Sequence, residues 1–483
     1  MENLIGRESE ITVLKEALES PHAELIAVYG RRRVGKTYLI QTVYEKNILL
    51  ELIGLNEVAQ PEQLENFSLS IARAFDLPLN ILQPQNWLQA FHVLIQVLEK
   101  QLTKPKNKSK RVLFFDELPW FDAQKSGFLS AFDHFWNAWA AKKKNLVVVI
   151  CGSAASWMIQ NIVSSKGGLH NRITRRIRLM PFNLYETELF LKNQYIQPDR
   201  YQLLQLYMVT GGIPHYLKEM KRGESVTQTI DRLCFTNDGL LSNEFKNLYT
   251  ALFGNAEKHE TVVKALAHKP NGMTRNEIVE TCQLSSGGGL TKLLDELLES
   301  GFISEYIPFN KTVKDSLYKL SDEYSLFYLK FMDNSKAFGS GTWQNRSQSS
   351  GWKSWAGFAF ENICLKHIPQ IKKALNILGV YSEQSAWRYA PKDQTTGTQI
   401  DLLIDRQDNC INLCEMKFSL TEFSIDKKYA ESLHQKRRIF LEKTGTKKTV
   451  FVTMITTLGV KMNEHYLNTT QNQLKMDVLF EKL

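Results

Sequence analysis

The amino-acid sequence predicts an α/β protein of several domains. Its 483 residues exceed one small module, since a domain usually holds roughly 100 to 200 residues. Three apolar runs of strand character, at 25–29, 112–115 and 146–151, are separated by segments with helical spacing. Such alternation is typical of a parallel sheet covered by helices. Helical periodicity then prevails until about residue 300, and strand-like alternation returns near residue 400.

The composition is that of an ordinary globular protein, with 43% hydrophobic and 23% charged residues, which excludes disordered and collagen-like classes. The strongest apolar run, 146–151, is far shorter than the ~20 residues that span a bilayer, and the first ten residues carry three glutamates instead of a basic leader. We therefore expect a cytoplasmic protein with no membrane partner. The six scattered cysteines form no C-x-x-C pair, so neither a disulfide framework nor a zinc site is expected.

A glycine-rich pattern follows the first apolar run. The residues Gly30-Arg-Arg-Arg-Val34-Gly35-Lys36-Thr37 fit G-x-x-x-x-G-K-[ST], the P-loop pattern, and helical spacing continues after them. The backbone from Gly30 through Val34 and Gly35 can then wrap phosphates at a helix N-terminus. Lys36 would neutralise the β- and γ-phosphates of ATP, and the Thr37 hydroxyl would ligate Mg²⁺.

Two acids end the second apolar run. Asp116 would hold Mg²⁺ through water, and Glu117 would polarise the attacking water as general base, which is the Walker B pattern. An isolated acid pair at a strand end is more often simply solvated, but the upstream P-loop favours the catalytic interpretation. The third run ends at Ser153, whose side chain could touch the γ-phosphate or the lytic water, although a Gly-Ser pair there is also an ordinary turn.

Five motifs occur in an order that resembles the archaeal-type ATPase family, a branch of the AAA+ and STAND P-loop ATPases. They are Ile5-Gly-Arg7-Glu, the P-loop, Phe115-Asp-Glu-Leu-Pro-Trp120, Cys151-Gly-Ser153 and Thr210-Gly-Gly-Ile-Pro214. The resemblance covers roughly residues 3 to 235. It implies that Arg7 flanks the adenine of ATP and that Arg172 is a candidate arginine finger for a neighbouring phosphate. Arg175 and Arg176 compete for that role, and a basic surface or a DNA-facing loop is an equal alternative.

The sequence divides after the ATPase segment, 1–180, into four further parts. Residues 181–250 are helical, as expected of a lid, and 251–338 have the order of a winged helix-turn-helix domain, with three short helices before a hairpin. The third of these helices has only small polar residues and one lysine that could contact a DNA duplex. A role as a protein-contact or relay domain is therefore as compatible with the sequence as DNA recognition. The Gly/Ser-rich segment 339–354 is interpreted as a linker or a docking strap.

Acidic residues also mark a predicted hairpin in the last part, 355–483. Alternation with period two puts Glu415 and Lys417 on one face, and the hairpin turn brings Asp401 next to Glu415. Two carboxylates can share a divalent ion, and an ammonium can orient or activate a water for attack on phosphorus.

A D and E-x-K spacing of this kind resembles the PD-(D/E)xK nuclease superfamily. The resemblance implies a metal site of Asp401 and Glu415, completed by the helical Glu361, with Lys417 as the catalytic lysine. The superfamily's proline before the aspartate is absent here, and charged positions on an ordinary edge hairpin are the alternative. As a whole, the chain resembles fusions of the archaeal-type ATPase with a nuclease-like, DUF234-like domain, so the expected class is α/β with a P-loop NTPase sheet, a helical lid, a winged helix and a C-terminal α/β nuclease-like domain.

The charge distribution favours a nucleic acid partner, with DNA as the expected kind. The net charge is +9, and residues 351–483 hold 19 Lys plus Arg against 14 Asp plus Glu. The expected phosphate contacts, which could also form a solvated helix face, are Lys427, Lys428, Lys436, Arg437 and Arg438. We expect an ATP-gated, Mg²⁺-dependent DNA nuclease or DNA-processing protein that could form a homo-oligomer. The alternatives are a STAND-like signalling ATPase and a winged-helix DNA-binding regulator, both with a non-catalytic C-terminal domain.

Overall fold

The computed structural model describes residues 4–78, 83–102, 109–123, 125–153, 155–163, 169, 171–253, 256–333, 335, 339–389 and 397–483. The chain forms two compact units. Unit 1 comprises Met1–Pro181 and Leu248–Ala256, and unit 2 comprises Phe182–Asn247 and Glu257–Leu483. Throughout the described ranges, no helix has the length and apolar character that crossing a membrane requires.

Unit 1 is built on a five-stranded parallel sheet in the order β2-β3-β4-β1-β5, which confirms the predicted α/β class. Its strands are β1 Glu24–Tyr29, β2 Ile48–Ile53, β3 Arg111–Asp116, β4 Leu146–Gly152 and β5 Arg175–Arg178. The three inner strands are buried along nearly their whole length, as helices covering both faces of a parallel sheet require. The helices are α1 Glu8–Glu19, α2 Lys36–Tyr44, α3 Gln60–Phe75, α4 Trp87–Leu102, α5 Leu118–Phe121, α6 Phe128–Ala138 and α7 Ala155–Met158.

An aromatic core fixes the end of β3. Phe115, the last apolar residue of that strand, and Phe121 at the end of α5 are both fully buried, with ring centroids 6.4 Å apart. Further fully or almost fully buried rings from α3, α4 and α6 pack around them, including Trp87 at 5.7 Å from Phe121. Because both sides of the short segment between Phe115 and Phe121 are anchored, the two acids that it carries are held in a defined place.

Unit 2 begins with helices and ends with a mixed sheet. Its helices are α8 Leu184–Asn193, α9 Arg200–Thr210, α10 Pro214–Leu217, α11 Val226–Cys234, α12 Glu244–Leu252 (which runs on into unit 1), α13 Ala256–His268, α14 Arg275–Cys282, α15 Gly288–Glu299, α16 Glu323–Phe331, α17 Thr342–Arg346, α18 Ser350–Lys366, α19 Ile368–Ala374, α20 Lys427–Thr444 and α21 Glu464–Thr469. Its strands are β6 Met273–Thr274, β7 Ile303–Tyr306, β8 Leu317–Leu320, β9 Ser382–Tyr389, β10 Thr398–Arg406, β11 Cys410–Lys417, β12 Thr449–Thr456 and β13 Asn472–Lys475.

The segment from α13 to β8 has three helices and an antiparallel sheet of order β6-β8-β7. Thr274 and Glu277 form a capping box at the start of α14, and the apolar stripe of α15 is buried. The loop between β7 and β8 packs inside unit 2, because the Phe309 N–H donates to the Ala386 carbonyl at 2.9 Å and the Phe309 ring lies 5.4 Å from Phe440. That loop therefore contacts β9 and α20.

The C-terminal sheet has the order β13-β12-β11-β10-β9. Strands β9, β10 and β11 pair antiparallel, whereas β11, β12 and β13 pair parallel. The chain order in this part is helix α18, the antiparallel strands β9, β10 and β11, helix α20 and the parallel strand β12. The short helix α19 lies between α18 and β9.

The segment 339–354 contains the short helix α17 and the start of α18, and it packs against α11. Trp343 is 1% exposed and stacks on Phe235 with ring centroids 5.7 Å apart. The Asp231 carboxylate accepts hydrogen bonds from the N–H groups of Gly341 and Trp343, both at 2.6 Å. These tryptophan and backbone contacts outweigh the flexibility that the Gly/Ser composition suggests, and α18 already begins at Ser350.

Candidate nucleotide site and candidate nuclease site

The P-loop connects β1 to α2 in unit 1, as the sequence predicts. Gly30 has a φ of 144°, and a Cβ there would overlap the carbonyl oxygen of Leu179. The N–H of Leu179 donates to the Tyr29 carbonyl at 2.8 Å. Gly35 has a φ of 91° and forms the N-cap of α2. Both glycines are required by backbone conformation or close approach, so the loop brings its amides to the start of a helix.

The Lys36 side chain lies under this loop. It is 6% exposed, and its Nζ donates to the carbonyl oxygens of Gly30 at 3.2 Å and Arg31 at 2.9 Å. Burial lowers the pKa of Lys36, while the neighbouring Cys151, Glu117 and Asp116 raise it. Phosphate oxygens could replace the two carbonyls as acceptors without a large movement of the ammonium.

Thr37 and Asp116 meet across the sheet edge. The Thr37 hydroxyl donates to Asp116 Oδ2 at 2.7 Å, and Asp116 Oδ1 accepts from the Glu117 N–H at 3.0 Å. A hydroxyl and a carboxylate are the hard oxygen ligands that Mg²⁺ prefers, so the two residues fit the ion that the sequence implies. The structure thus brings together the two residues predicted to hold it.

Glu117 has a strained backbone conformation, and its side chain contacts Ser153. Glu117 has a φ of 48° and caps the short helix α5. The Ser153 hydroxyl lies 2.9 and 2.8 Å from the two carboxylate oxygens of Glu117, and the Ser153 N–H donates to Oε2 at 3.2 Å. Ser153 is therefore a positioning residue for the predicted base, and its contact with the γ-phosphate or lytic water stays a prediction.

Two glycines whose role here the sequence did not predict allow this arrangement. A Cβ on Gly152 would lie 2.7 Å from Pro119 Cδ, and a Cβ on Gly54 would lie 2.7 Å from the Glu117 carbonyl oxygen. Both contacts are closer than real Cβ atoms tolerate, so these glycines let β2 and β4 approach the segment that carries Glu117. The only sequence signal for them is their place at the ends of apolar runs.

Arg7 contacts the P-loop backbone. Its side chain is 5% exposed, with Nη2 donating to the Val34 carbonyl at 3.3 Å and Nη1 lying 3.9 Å from Glu10. Arg7 and Val34 are thus neighbours, as a shared nucleotide site requires. Contact of Arg7 with adenine stays a prediction.

Arg172 lies at the opposite end of the sheet from the P-loop. It is exposed in a turn before β5, and the nearby Thr174 N–H bonds to the Leu25 carbonyl at the beginning of β1. Gly30 lies five residues after Leu25, so these two residues are about 16 Å apart at the spacing of a β-strand. Of the competing arginines, Arg175 pairs with Glu16 at 3.0 Å and with Glu24 at 3.5 Å. Arg172 is therefore distant from the P-loop of its own chain, and its role as an arginine finger stays a prediction.

The C-terminal hairpin carries the second predicted site. Leu402 faces Cys414 in the register of β10 and β11, so the antiparallel ladder puts Asp401 opposite Glu415. Glu415 is 1% exposed and accepts from Lys436 Nζ at 2.6 Å and from the Tyr429 hydroxyl at 3.3 Å. Lys436, predicted to contact a phosphate backbone, is thus committed to Glu415, a correction that follows from its half-buried place on α20.

Glu361 on α18 joins the same group of charges. Burial, then the neighbouring Asp401, raises the pKa of Glu361 to about 7, and Lys319 and Lys417 oppose the shift. The Lys417 ammonium lies 5.5 Å from the ring centre of Tyr429. All four predicted residues of this site are therefore within electrostatic range of one another. Within the residues described here, however, no three His, Cys, Asp or Glu side chains are arranged as metal ligands.

Four neighbours of this group were not predicted as part of it. Gln399 Nε2 donates to Asp401 Oδ1 at 2.7 Å and lies 3.1 Å from the Asn271 side-chain oxygen. Lys319 reaches the group from β8. Tyr429 and Lys436 are seven residues apart on α20, a helical spacing that could have placed them on one face. Gln399 and Lys319 carry no such local signal.

Comparison with known proteins adds the decisive observation for the N-terminal part of the chain. Residues 4–220 match the family model of an ATPase domain predominantly from Archaea. The chain carries an archaeal-type ATPase domain. The resemblance inferred from the five motifs is thereby confirmed for this domain, which is that of an ATPase.

Relatives extend over more of the chain than the ATPase domain. The uncharacterized protein MJECL04 of Methanocaldococcus jannaschii is 22% identical over 439 residues, which cover 90% of this chain and 92% of the relative. Among solved structures, the Walker-type ATPase PABY2304 of Pyrococcus abyssi aligns at 17% identity over 68% of this chain and 97% of its own, with a TM-score of 0.48. The ORC2 protein of Aeropyrum pernix, solved as ADPNP–ADP complexes, aligns at 13% identity over 72% and 98%, with a TM-score of 0.40.

Proposed function

We propose that this protein binds and hydrolyses ATP with Mg²⁺ in its archaeal-type ATPase domain, and that ATP turnover gates a Mg²⁺-dependent nuclease in residues 355–483 that acts on DNA. One observation carries the nuclease proposal. Glu361, Asp401, Glu415 and Lys417 come from one helix and two strands, yet lie within electrostatic range of one another in a half-buried position. Charged positions on an ordinary solvated hairpin would not gather in this way.

In the ATPase domain, the side chains divide the work of hydrolysis. Lys36 binds the phosphates, Glu117 accepts a proton from the attacking water, and Ser153 keeps the Glu117 carboxylate in place. Thr37 and Asp116 would hold Mg²⁺, which neutralises charge on the phosphates when bound. Arg172 would complete the site of a neighbouring copy of the chain in a homo-oligomer.

In the C-terminal domain, Asp401 and Glu415 supply oxygen ligands for a divalent cation, with Glu361 as a third candidate. Such an ion polarises a phosphoryl oxygen when bound. Lys417 would orient the water that attacks phosphorus, and attack breaks one P–O ester bond of the strand. Tyr429 and Lys436 hold Glu415 from the side of α20 and so position it.

A second function is favoured by the same contacts. Glu415 is already satisfied by Lys436 and Tyr429, and Asp401 by Gln399, so the group could be a structural centre without catalysis. The loop between β7 and β8 packs on β9 and α20, as a relay domain would. The protein would then be a signalling ATPase whose C-terminal domain recruits a partner.

Cleavage assays separate the two functions. Plasmid and single-stranded DNA are incubated with the full chain, Mg²⁺ and ATP, and RNA is tested in parallel. We expect cleavage that is lost in Lys417→Ala and altered by Glu117→Gln. Lys447→Ala, which removes an exposed lysine between α20 and β12, should cleave like wild type. Cleavage that persists in Lys417→Ala would remove Lys417 from the reaction, and absence of cleavage in wild type under all these conditions would favour the signalling function.

A further inference from the structure

A cavity of about 470 Å³ in unit 2 adjoins the candidate nuclease site. It is lined by α13, by β8 and α16, and by α18, so the three-helix module and the C-terminal domain both contribute walls. Glu361 is one of its lining residues and also belongs to the group that contains Asp401 and Glu415. A ligand in this cavity would therefore lie beside the carboxylates. Its volume is within the range of small-ligand sites.

Lys319 is the feature of the cavity that indicates a ligand. The side chain is 7% exposed, and its positive charge acts on the nearby Glu361 carboxylate. Its close neighbour is the ring of Tyr306, with the centroid 5.5 Å from Nζ. Because this ammonium borders the cavity, an anionic group that enters the cavity would be attracted to it.

The remaining walls fit the other parts of a nucleotide. Phe358 lines the cavity and is 43% exposed, so one face of an aromatic ring is open for stacking. Trp355 lines it as well but is largely buried. Lys264 and Lys330 are exposed lysines in the lining, and Asp333 is the acid other than Glu361. Aromatic rings beside a row of lysines are the usual elements of single-strand binding, in which bases stack and phosphates pair with cations.

We propose that this cavity binds one nucleotide unit, with its base against Phe358 and its phosphate at Lys319. The proposal rests on the proposed nuclease function for its biological sense, since it places the strand next to Asp401, Glu415 and Lys417. Two sources have this chemistry: a nucleotide within a single strand, and a free mononucleotide. Lys319 would act here in binding, and the cleavage chemistry would remain with the hairpin.

Equilibrium binding to the full chain tests the proposal. The probe is a fluorescein-labelled ten-nucleotide oligothymidylate, measured by anisotropy in EDTA so that no cleavage occurs, with dTMP as competitor. Lys319→Met keeps an unbranched side chain of similar size and removes the charge, and we expect its dissociation constant to rise at least about tenfold. The slope of log affinity against log salt should fall by about 0.7, the value for one phosphate contact on a single strand. Phe358→Ala, at an exposed position, should weaken binding by about tenfold through lost stacking.

Lys314→Met is the matched control. Lys314 is exposed, lies five residues before Lys319 and does not line the cavity, so the same charge change should leave affinity and salt slope at wild-type values. Displacement of the probe by dTMP would identify a mononucleotide site, and displacement only by unlabelled strands would identify a strand site. Wild-type binding in both Lys319→Met and Phe358→Ala, with thermal unfolding unchanged, would overturn the proposal.

The outcomes separate this proposal from the nuclease function. Loss of binding in Lys319→Met without any cleavage by wild-type protein would keep the nucleotide cavity and remove the nuclease. Unchanged binding in both Lys319→Met and Phe358→Ala, with cleavage lost in Lys417→Ala, would keep the nuclease and remove the cavity. If Lys319→Met does not fold, Phe358→Ala and Lys319→Arg, which preserves the charge, still decide the question.

Discussion

The Ser153 hydroxyl lies within hydrogen-bond distance of both carboxylate oxygens of Glu117, at 2.9 and 2.8 Å, and the Ser153 N–H adds a third contact at 3.2 Å. Ser153 follows β4, whereas Glu117 follows β3, and these two strands are neighbours in the sheet. The serine therefore holds the carboxylate of the proposed base from the adjacent strand. A carboxylate fixed by two donors loses little entropy when it engages a water.

This relationship predicts a selective loss in Ser153→Ala. We expect ATP hydrolysis to fall by about ten- to a hundredfold while ATP affinity stays near wild type, because the base loses its orientation but the P-loop is intact. Ser126→Ala removes another hydroxyl of unit 1 that contacts a carboxylate, that of Asp122 at 3.5 Å, and should not change turnover. Equal turnover in Ser153→Ala and wild type would show that Glu117 needs no such support.

The position of Arg172 predicts complementation between two inactive variants. Lys36→Ala should bind no ATP, since the phosphates lose their buried cation, and Arg172→Ala should bind ATP but hydrolyse it at least about tenfold more slowly. Mixing the two should restore part of the activity, because the arginine of one chain can serve the nucleotide of the other. A mixture with no more activity than its components, alongside loss in Arg176→Ala, would move the role to Arg176.

The parts that the sequence predicted are those encoded locally. The P-loop, the Asp116–Glu117 pair and the two-residue spacing of Glu415 and Lys417 each lie within one element or turn, so periodicity and motif suffice. The contacts of Ser153 with Glu117 and of Lys436 with Glu415 join residues 36 and 21 positions apart. Such contacts depend on sheet order and helix packing, which no local pattern carries.

The same reasoning explains the segment 339–354. Its Gly and Ser residues suggested flexibility, and its tryptophans were the signal for docking. Asp231, which accepts from two of its N–H groups, lies 110 positions away from Gly341. A composition can indicate that a segment lacks intrinsic structure, but it does not reveal which distant carboxylate will fix it.

His367 predicts a loss of stability in mild acid. It is 1% exposed, its Nε2 accepts from the Leu184 N–H at 3.1 Å, and its Nδ1–H donates to the Ile363 carbonyl at 2.7 Å. Burial lowers the pKa of His367 to about 4, and the charge of Lys366 lowers it further, whereas the hydrogen bond to the Ile363 carbonyl raises it. The unfolded chain takes up this proton near pH 6.5, so folding should weaken as the pH falls from about 6.5 to 4, by up to about 3 kcal/mol.

The measurement is hydrogen exchange of α8 and α18 in unit 2 between pH 7.5 and 4.5, corrected for intrinsic rates. His367→Gln keeps an acceptor for the Leu184 N–H but does not titrate, so its stability should depend less on pH than that of wild type. His22→Gln changes an exposed histidine and should retain the wild-type slope. A slope in His367→Gln as steep as that of wild type would assign the acid loss to other groups.

Gly212 predicts a severe stability loss, measured against a glycine of similar conformation. Gly212 has a φ of 70°, and a Cβ there would overlap the Phe182 carbonyl oxygen and lie 2.8 Å from a ring carbon of Tyr207. The same carbonyl accepts from the Tyr207 hydroxyl at 2.9 Å, and the Phe182 N–H donates to the Gly212 carbonyl at 2.9 Å. Gly223 has a φ of 84° and nothing within 4 Å of such a Cβ. Gly223→Ala should therefore cost only the left-handed backbone penalty of about 1–2 kcal/mol.

Gly212→Ala should cost that penalty and, in addition, the displacement of Phe182 with the loss of two buried hydrogen bonds, at about 1 kcal/mol each or more. We expect the free energy of unfolding of unit 2 to fall by about 3 kcal/mol or more in Gly212→Ala, measured by urea unfolding with Gly223→Ala as reference. Because the overlap is with the Phe182 backbone and not with a mobile side chain, Phe182 cannot move away at a low cost in free energy. Equal stability of the two variants would mean that the turn at Gly212 rearranges, and that the contact with Phe182 does not hold the start of unit 2 in place.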